Sequence, residues 1–216
     1  MKKLVFSILG AVVLCTALQA APIDCRTLTT LNGLITSNPN GGCFVQDKLF
    51  TNFSYSGGGL VSAADVAVAV VFNVLPTIDI HGFVFSPTTV WSAAFTLGYT
   101  IAVIPPSPQF IVASKLQINA GVTPGPNTPT VRMTESGLPT LNANFTAIGN
   151  ETQVAQYAGV KSTNVLNTAA FATGGVLVSL ENDFEQAVPE PGTFALQGAG
   201  LIGLALWSRR RRAQRA

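Results

Sequence analysis

The sequence predicts an all-β domain, a sandwich or jelly-roll-like fold of about nine or ten strands. Three observations lead to this prediction. Apolar and polar residues alternate with a period of two over several short runs. Glycine and proline interrupt these runs at intervals of about ten residues, and no long stretch keeps a helical period. β-branched residues and phenylalanine dominate the runs, as is typical of a half-buried pleated surface.

The first half of the chain shows the clearest alternation. Segment 27–34 has leucines at helical spacing and predicts one short helical turn. In the first clear strand, Leu49, Thr51, Phe53 and Tyr55 share one predicted face, and a run of three glycines ends it. Three further strands are predicted over 66–74, 78–86 and 95–103.

The second half of the chain continues the pattern less clearly. Segment 121–129 contains three prolines and two glycines and predicts a loop. The predicted strands of this half are 110–118, 130–135, 141–147, 153–157 and 174–183. A sandwich built from residues 21–187 is long enough to bury a sizeable core.

Residues 1–20 have the layout of a secretory signal peptide. Lys2 and Lys3 form the positively charged start, and an apolar run too short to span a bilayer follows them. The small residues Ala20 and Ala21 mark the cleavage site, with the cut predicted after Ala20. We therefore expect the Sec export machinery to handle the chain and the mature protein to begin at Ala21.

The formal charge of the chain misrepresents its body. The whole sequence carries +2, but residues 21–187 contain five basic and nine acidic residues, a formal charge of −4. Nucleic-acid binding requires clustered lysine and arginine on the folded part of a protein. The only such cluster, 209–212, follows an apolar run at the end of the chain, so we expect no nucleic-acid partner.

Two cysteines remain in the exported body, Cys25 and Cys43. An even count in an oxidising compartment predicts a disulfide, and closing a loop of this length stabilises a fold by roughly 3 kcal/mol. The alternative is a two-thiolate metal site, which needs two further ligands. No such ligands lie nearby in the sequence, and His81 is the only histidine in the chain. We therefore predict no metal and no other cofactor.

No recognised catalytic motif is present. His81 is the only imidazole, and it shares a predicted strand face with Asp79, two residues away. This pair could orient a catalytic base, but a histidine beside an acid is more often structural. We therefore expect no catalytic residue and no enzymatic activity.

Few residues of the body suggest a ligand. An acidic group including Glu181, Asp183 and Glu185 is the densest candidate for calcium, but solubility or spacing before the tail explains it better. Trp91 offers a ring on which a sugar could stack, while its apolar neighbours favour a core position. The sequence thus leaves a polysaccharide contact at Trp91 as an alternative.

The chain ends in a three-part segment, 188–216. A short Pro189-Glu190-Pro191 motif is followed by the charge-free run 192–208, and the arginine cluster comes last. This segment resembles the PEP-CTERM sorting signal, which implies recognition by an exosortase-type processing enzyme of the inner membrane. The residues that carry the resemblance are Pro189, Glu190, Pro191, Arg209, Arg210, Arg211 and Arg212.

The physical properties of this segment agree with the resemblance. The run of 17 residues would measure about 25 Å as a helix, which is at the short limit for spanning a bilayer. Arginines remain on the cytoplasmic side of a membrane. We therefore predict a single-pass transmembrane helix, with residues 21–187 outside the cytoplasm and the arginines inside.

These observations predict an exported, non-enzymatic protein of the cell surface or exopolysaccharide matrix, held in the inner membrane and then processed through its tail. Two alternatives stay open. The body could be a carbohydrate-binding module of the envelope or matrix, or the chain could be a permanently anchored periplasmic protein whose tail is never cut.

Overall fold

The computed structural model describes residues 21–76, 78–120, 129–144, 149–172, 174–187 and 199–202. Within these residues, twelve strands form two sheets that pack as a sandwich, which confirms the predicted all-β class. The predicted signal peptide and most of the predicted membrane segment lie outside the described residues. Among those described, no helix has the length and apolar character needed to cross a membrane.

One α-helix and three short 3₁₀ turns accompany the strands of the described body. The helix α1 spans Leu31–Ser37, and the 3₁₀ turns span Cys25–Thr27, Asn38–Asn40 and Ala63–Asp65. The strands are β1 (Ile23–Asp24), β2 (Cys43–Val45), β3 (Lys48–Gly57), β4 (Val66–Val74), β5 (Ile78–Pro87), β6 (Phe95–Val103), β7 (Phe110–Ala120), β8 (Thr130–Glu135), β9 (Leu141–Asn144), β10 (Gly149–Val160), β11 (Ser162–Ala170) and β12 (Ser179–Ala187).

The two sheets have different strand orders. The larger sheet has seven strands in the order β1-β2-β3-β6-β11-β8-β9, and the smaller has five in the order β10-β7-β12-β5-β4. All neighbours are antiparallel except β1 and β2. The last strand of the chain, β12, is therefore the central strand of the smaller sheet.

Aromatic side chains form the centre of the core between the sheets. Strand β6 follows its predicted alternation, with every odd residue from Phe95 to Val103 buried. Tyr99 of β6 meets Phe53 at 5.5 Å between ring centroids, and Phe50 meets Phe83 of the smaller sheet edge-to-face at 4.7 Å. Such aromatic contacts stabilise a core beyond their buried area.

Strand β3 departs from the predicted alternation. Phe50 and Phe53 are both buried, although strict alternation would place them on opposite faces. The register with β6 shifts between Thr51 and Ser54, and Asn52 adopts a positive φ of 57°. The inserted residue of this bulge exchanges the two faces of the strand. The prediction that Leu49 and Phe53 share a face was wrong for this reason.

Strand β7 shows a similar shift at its start. Phe110 is largely exposed, whereas Ile111 is buried. Opposite them, Glu185 pairs with Ala113 and the next residue, Gln186, pairs with Ile111, so β7 has one extra residue at this point. A bulge again explains why the predicted face of 110–118 changes along the strand.

The N-terminal segment closes one side of the sandwich. Strand β1 belongs to the larger sheet, and Thr30 then bridges Ala67 of β4 in the smaller sheet. Thr30 also caps α1, since its hydroxyl accepts a hydrogen bond from the Gly33 amide at 3.1 Å. The predicted disulfide is confirmed, because Cys25 and Cys43 are bonded and both fully buried. The disulfide fixes the start of the segment that crosses from the larger to the smaller sheet to the first residue of β2.

Candidate functional site

The described sandwich ends at Ala187, in the middle of the smaller sheet. The last residue of β12, Ala187, pairs with Ile78 of β5 on one side and with Phe110 of β7 on the other. The Pro-Glu-Pro motif thus begins two residues beyond the end of a central strand. We call the end of the sandwich that carries these three residues the tail-proximal end. The opposite end, where β3 finishes at Gly57 and β6 begins at Phe95, is the distal end.

A cluster of polar side chains lies inside the tail-proximal end. The cluster begins at the two-residue turn between β2 and β3, where Gln46 adopts a positive φ of 53°. The next two residues, Asp47 and Lys48, form an ion pair. The Lys48 ammonium is fully buried and also donates a hydrogen bond to the Gln186 amide oxygen of β12. The cluster therefore connects the turn of one sheet to the last strand of the other.

The connection after β6 completes this cluster. The Ser107 hydroxyl donates to Asp47 Oδ2 at 2.6 Å, and the Gln186 amide donates to the same oxygen at 2.9 Å. The Gln186 amide also donates to the Gln109 side chain. On the backbone, the Ile104 N–H donates to the Asp47 carbonyl at 2.7 Å. We call Gln46, Asp47, Lys48, Ser107, Gln109 and Gln186 the tail-proximal cluster.

The ionisation of the pair follows from its surroundings. Burial lowers the pKa of Lys48, and the Asp47 carboxylate offsets only part of that effect. Burial acts to raise the pKa of Asp47, but hydrogen bonds from Lys48, Ser107 and Gln186 outweigh it and leave that pKa below its ordinary value. The pair therefore depends on complete hydrogen bonding, as buried ion pairs do.

His81 and Asp79 lie beside the cluster on the inward face of β5. His81 is fully buried, and its Nε2 is 3.0 Å from the Gln46 side-chain oxygen. Burial, reinforced by the Lys48 charge, lowers the pKa of His81 to about 4. The imidazole is therefore neutral at physiological pH. Its Nδ1 and the Asp79 Oδ1 are buried without a hydrogen-bond partner among the described residues.

This environment differs from that of a general base. An efficient base has a pKa near the working pH and lies within reach of a reacting group. His81 instead packs against Phe72, with ring centroids 5.6 Å apart, and bonds to the Gln46 amide. The arrangement places the imidazole in the sandwich interior, where it supports packing at the tail-proximal end.

A second polar group occupies the middle of the sandwich. Asn182 of β12 and Asn167 of β11 exchange hydrogen bonds of 2.7 and 3.2 Å across the two sheets. The Tyr99 hydroxyl donates to Asn182 Oδ1 at 3.1 Å. Asn182 also donates to the Met133 sulfur at 3.2 Å. We call these four residues the central network. It is neutral and entirely buried.

Glu135 forms a third inter-sheet contact. Its carboxyl, on β8 of the larger sheet, accepts a hydrogen bond from the Ser114 hydroxyl of β7 at 2.5 Å. The Tyr157 hydroxyl of β10 lies 3.4 Å from its other oxygen. Burial raises the pKa of Glu135 above its ordinary value. This carboxyl lies inside the sandwich, where it joins three strands.

The acidic group considered as a calcium site is part of β12. Lys115 of β7 forms ion pairs with Glu181 at 2.7 Å and with Asp183 at 2.5 Å. Burial and the neighbouring Glu181 raise the pKa of Asp183 to about 7. Glu181 and Asp183 therefore share one lysine as their ion-pair partner. The described residues contain no group of three or more metal-ligating side chains.

Trp91 lies in the core. It is fully buried, its Nε1 donates to the Tyr55 hydroxyl at 2.9 Å, and its ring packs against Phe95 with centroids 4.6 Å apart. An isolated bridge to Leu177 fixes its backbone. The ring therefore has no exposed face on which a sugar could stack. The hypothesis of a polysaccharide contact at Trp91 was wrong. Its apolar neighbours in the sequence already favoured this position.

The outer face of the larger sheet is a polar surface that the sequence did not reveal. Hydroxyl and amide side chains on adjacent strands bond one another across it. Ser56 and Thr96 lie 2.8 Å apart, Asn52 donates to the Thr100 hydroxyl at 3.1 Å, and that hydroxyl donates to Asn164 at 2.7 Å. We call these five residues the hydroxyl-amide face. They are uncharged and lie at the surface.

A shallow open depression of about 430 Å³ lies at the distal end. Leu60, Val90 and Thr88 are among the residues that line it. Its one carboxylate, Asp65, accepts hydrogen bonds from the Ser62 amide and hydroxyl at 3.0 and 2.5 Å. One oxygen of this carboxylate therefore caps a local turn.

The sorting residues fall outside this description. Ala20, the three Pro-Glu-Pro residues and the arginines at 209–212 are beyond the described residues, whereas Ala21 is described and exposed. The structure therefore fixes where the tail begins. What it adds to the sequence is the tail-proximal cluster, in which Asp47 and Gln186 lie 139 positions apart in the chain.

Comparisons with known proteins bear on the two parts of the chain separately. Residues 187–212 match the model of the PEP-CTERM protein-sorting motif. The chain therefore carries this motif, as its resemblance implied. The match begins at the last residue of β12. A comparison with curated proteins gave no match.

Several solved structures share a remote similarity with the body. TmCBM61 in complex with β-1,4-galactotriose is 8% identical, with a TM-score of 0.35, covering 62% of this chain and 86% of that one. The enzymatically active domain of tailspike protein 4 of bacteriophage CBA120 is 15% identical, with a TM-score of 0.27, covering 61% and 20%. CapF with an inhibitor is 9% identical, with a TM-score of 0.20, covering 57% and 32%. At these scores the neighbours identify neither a ligand nor an activity for this chain.

Proposed function

We propose that this chain is an exported, non-enzymatic protein of the cell surface or exopolysaccharide matrix. The Sec machinery exports it, its tail holds it in the inner membrane, and an exosortase-type enzyme processes that tail. The observation that carries the proposal is the sorting motif at 187–212, which begins where the last strand of the sandwich ends.

The position of the motif supports processing after folding. Because Ala187 is the last residue of a central strand, the sorting motif begins where this strand ends. A cut at Pro189 to Pro191 would release the complete sandwich without removing any residue of its sheets. The disulfide between Cys25 and Cys43 agrees with an oxidising destination.

The absence of enzymatic activity is the second part of the proposal. It is supported by the state of His81, the only histidine in the sequence. This residue is buried, neutral and bonded to an amide rather than to a nucleophile. The buried carboxyl of Glu135 likewise bonds to Ser114 and contacts Tyr157 inside the sandwich.

The intact mass of the mature protein, produced in its native host, tests the proposed processing. We expect the wild-type chain to begin at Ala21 and to end near Pro191. A variant with alanine at Pro189, Glu190 and Pro191 should keep its C-terminus at Ala216. A matched control, Glu185→Ala, alters the partly exposed face of the adjacent strand and should still be cut. A wild-type chain that ends at Ala216 would show a permanent anchor instead.

A second candidate function is polysaccharide binding, for which the hydroxyl-amide face is the favoured surface. Its uncharged donors and acceptors match the hydroxyl groups of a neutral glycan, and they are already aligned on rigid strands. No contact at Trp91 is needed for this function. The acidic body would not attract a negatively charged polymer, so a neutral glycan is the expected class.

Retention of the exported protein on neutral matrix polysaccharides tests this second candidate. We expect Thr96→Glu together with Thr100→Glu to abolish retention by introducing charge on the hydroxyl-amide face. Thr152→Glu together with Gln156→Glu introduces two negative charges at exposed positions of β10 on the smaller sheet and should leave retention nearly unchanged. Equal retention of all three proteins would exclude this face as the binding surface.

A further inference from the structure

We propose that the tail-proximal end contacts the lipid surface of the inner membrane while the tail is still inserted. The contact is made by the tip of the β4–β5 hairpin and by Phe110. This inference rests on the proposed function, because it requires the tail to enter the bilayer. The tail-proximal end would then both join the two sheets through its cluster and act as a membrane-docking surface.

Exposed apolar side chains occur on both sides of the tail exit. Val74 and Leu75 form the tip of the hairpin and are 55% and 41% exposed. The Leu75 N–H donates to the Ile78 carbonyl at 3.0 Å, so a hydrogen bond holds the tip in place. Phe110, at the start of β7, is 43% exposed. Large exposed apolar groups that cluster usually mark an interaction site.

The strand order places these groups in one row. From edge to interior the strands run β4, β5, β12 and β7. Ile78, Ala187 and Phe110 pair in register across β5, β12 and β7, and Val74 of β4 pairs with Asp79, one residue further along β5. Neighbouring strands are about 4.8 Å apart, so the row is about 14 Å long. The tail leaves from its interior, with apolar side chains on either side.

The connecting segment is short, so it limits the distance between this row and the membrane. Four residues, 188–191, separate Ala187 from the charge-free run. Fully extended, they span at most about 14 Å. The polar headgroup layer on one side of a bilayer is about 5–8 Å thick. Once the run is inserted, the row therefore lies within reach of the headgroups.

The tail-proximal end carries an exposed cation beside Phe110, and the partly exposed Glu185 lies two residues before the end of β12. The Lys161 ammonium lies 4.1 Å from the centroid of the Phe110 ring and donates to the Ser107 and Gln109 carbonyls. This places an exposed cation beside an exposed aromatic ring, a combination favoured at membrane interfaces. The nearest carboxylate of the cluster, Asp47, is paired with Lys48 and does not oppose the approach.

Site-specific fluorescence of the full mature chain, 21–216, in vesicles tests the contact. An environment-sensitive dye is attached at Leu75→Cys, and at Leu60→Cys in a matched control at the distal end, where the side chain is 100% exposed. The vesicles contain phosphatidylethanolamine and phosphatidylglycerol and no other protein. We expect the Leu75 label to become several-fold brighter and inaccessible to aqueous iodide, whereas the Leu60 label stays accessible.

Flotation of the vesicles separates the two proposals. A chain that floats with the vesicles while both labels remain equally accessible to iodide would overturn the lipid contact and leave tail insertion intact. A chain that fails to float would overturn tail insertion and the contact together. As a second check, Val74→Ser with Phe110→Ser should return a label at Ile78→Cys to the aqueous phase without preventing flotation.

Discussion

The tail-proximal cluster and the central network perform the same task with different chemistry. Each ties β12 to the opposite sheet, the first through Gln186 and the second through Asn182. The cluster contains a buried ammonium and a carboxylate and lies at the end of the sandwich. The network contains only amides, a phenol and a thioether and lies in the middle.

The difference shows how location determines the cost of a buried polar contact. In the central network the two amides satisfy each other, so no charge is transferred out of water. In the cluster the Lys48 charge is buried and depends on Asp47, which retains some contact with solvent. We therefore expect the cluster to be the more fragile of the two, and we expect the pH response to come from His81, which is bonded to Gln46 of the cluster.

Removing one partner of the ion pair should have the largest effect. Asp47→Ala leaves the buried Lys48 ammonium with only the Gln186 oxygen, and we expect a loss of about 3–5 kcal/mol in the free energy of unfolding. Lys48→Met removes the charge while keeping the volume and should cost less than half as much. Urea unfolding of both variants measures this. Equal losses would mean that the charge itself is not costly.

Acidification should destabilise the protein through His81. In the unfolded chain its pKa is the ordinary 6.5, and in the fold it is about 4. Between these values the unfolded state binds the extra proton, so stability falls as pH decreases, by about 3 kcal/mol in total. The raised pKa of Asp183 has the opposite effect, because it increases stability as pH decreases. This effect is present in both wild type and His81→Asn, the two proteins compared below.

The comparison of wild type with His81→Asn isolates this contribution. The stability difference between the two proteins at pH 7 should decrease by about 3 kcal/mol at pH 4, because only the wild type carries the imidazole. Urea unfolding at both pH values provides the measurement. A difference that stays constant with pH would contradict the burial of a neutral His81.

Disrupting the central network should have a smaller effect that is independent of pH. Asn182→Ala leaves the Asn167 amide and the Tyr99 hydroxyl without this partner, and we expect a loss of about 2 kcal/mol. Asn164→Ala is the matched control on the exposed face of β11 and should change stability by no more than about 0.5 kcal/mol. A loss that varied between pH 7 and pH 4 would contradict the neutral character assigned to this network.

Strands β6 and β11 illustrate how much of the fold the sequence could predict. Strand β6 alternates large apolar residues with small polar ones, and its bounds were predicted correctly. Its neighbour β11 was not predicted, because its inward positions include Thr163 and Asn167 as well as Val165. The inward Asn167 is explained only by its bond to Asn182, a contact that local alternation cannot reveal.

Some candidate sites could likewise be predicted from the sequence, and others could not. The sorting tail is a continuous motif, so its residues could be found from the sequence, and so could the cysteine pair. The tail-proximal cluster could not, because Asp47 and Gln186 are separated by most of the chain. Lys48 follows a turn without glycine and would ordinarily be assigned to the surface.

The central position of β12 has a consequence for the timing of folding. Strands β4 and β5 form a hairpin and β7 pairs with β10, and among the described strands only β12 joins these two halves of the smaller sheet. The smaller sheet is therefore complete only when the nine residues of β12 are in place. Under the proposed export, the sheet would lack its central strand until the segment directly before the tail had crossed the membrane. Completion of the fold would then coincide with the arrival of the tail at the bilayer.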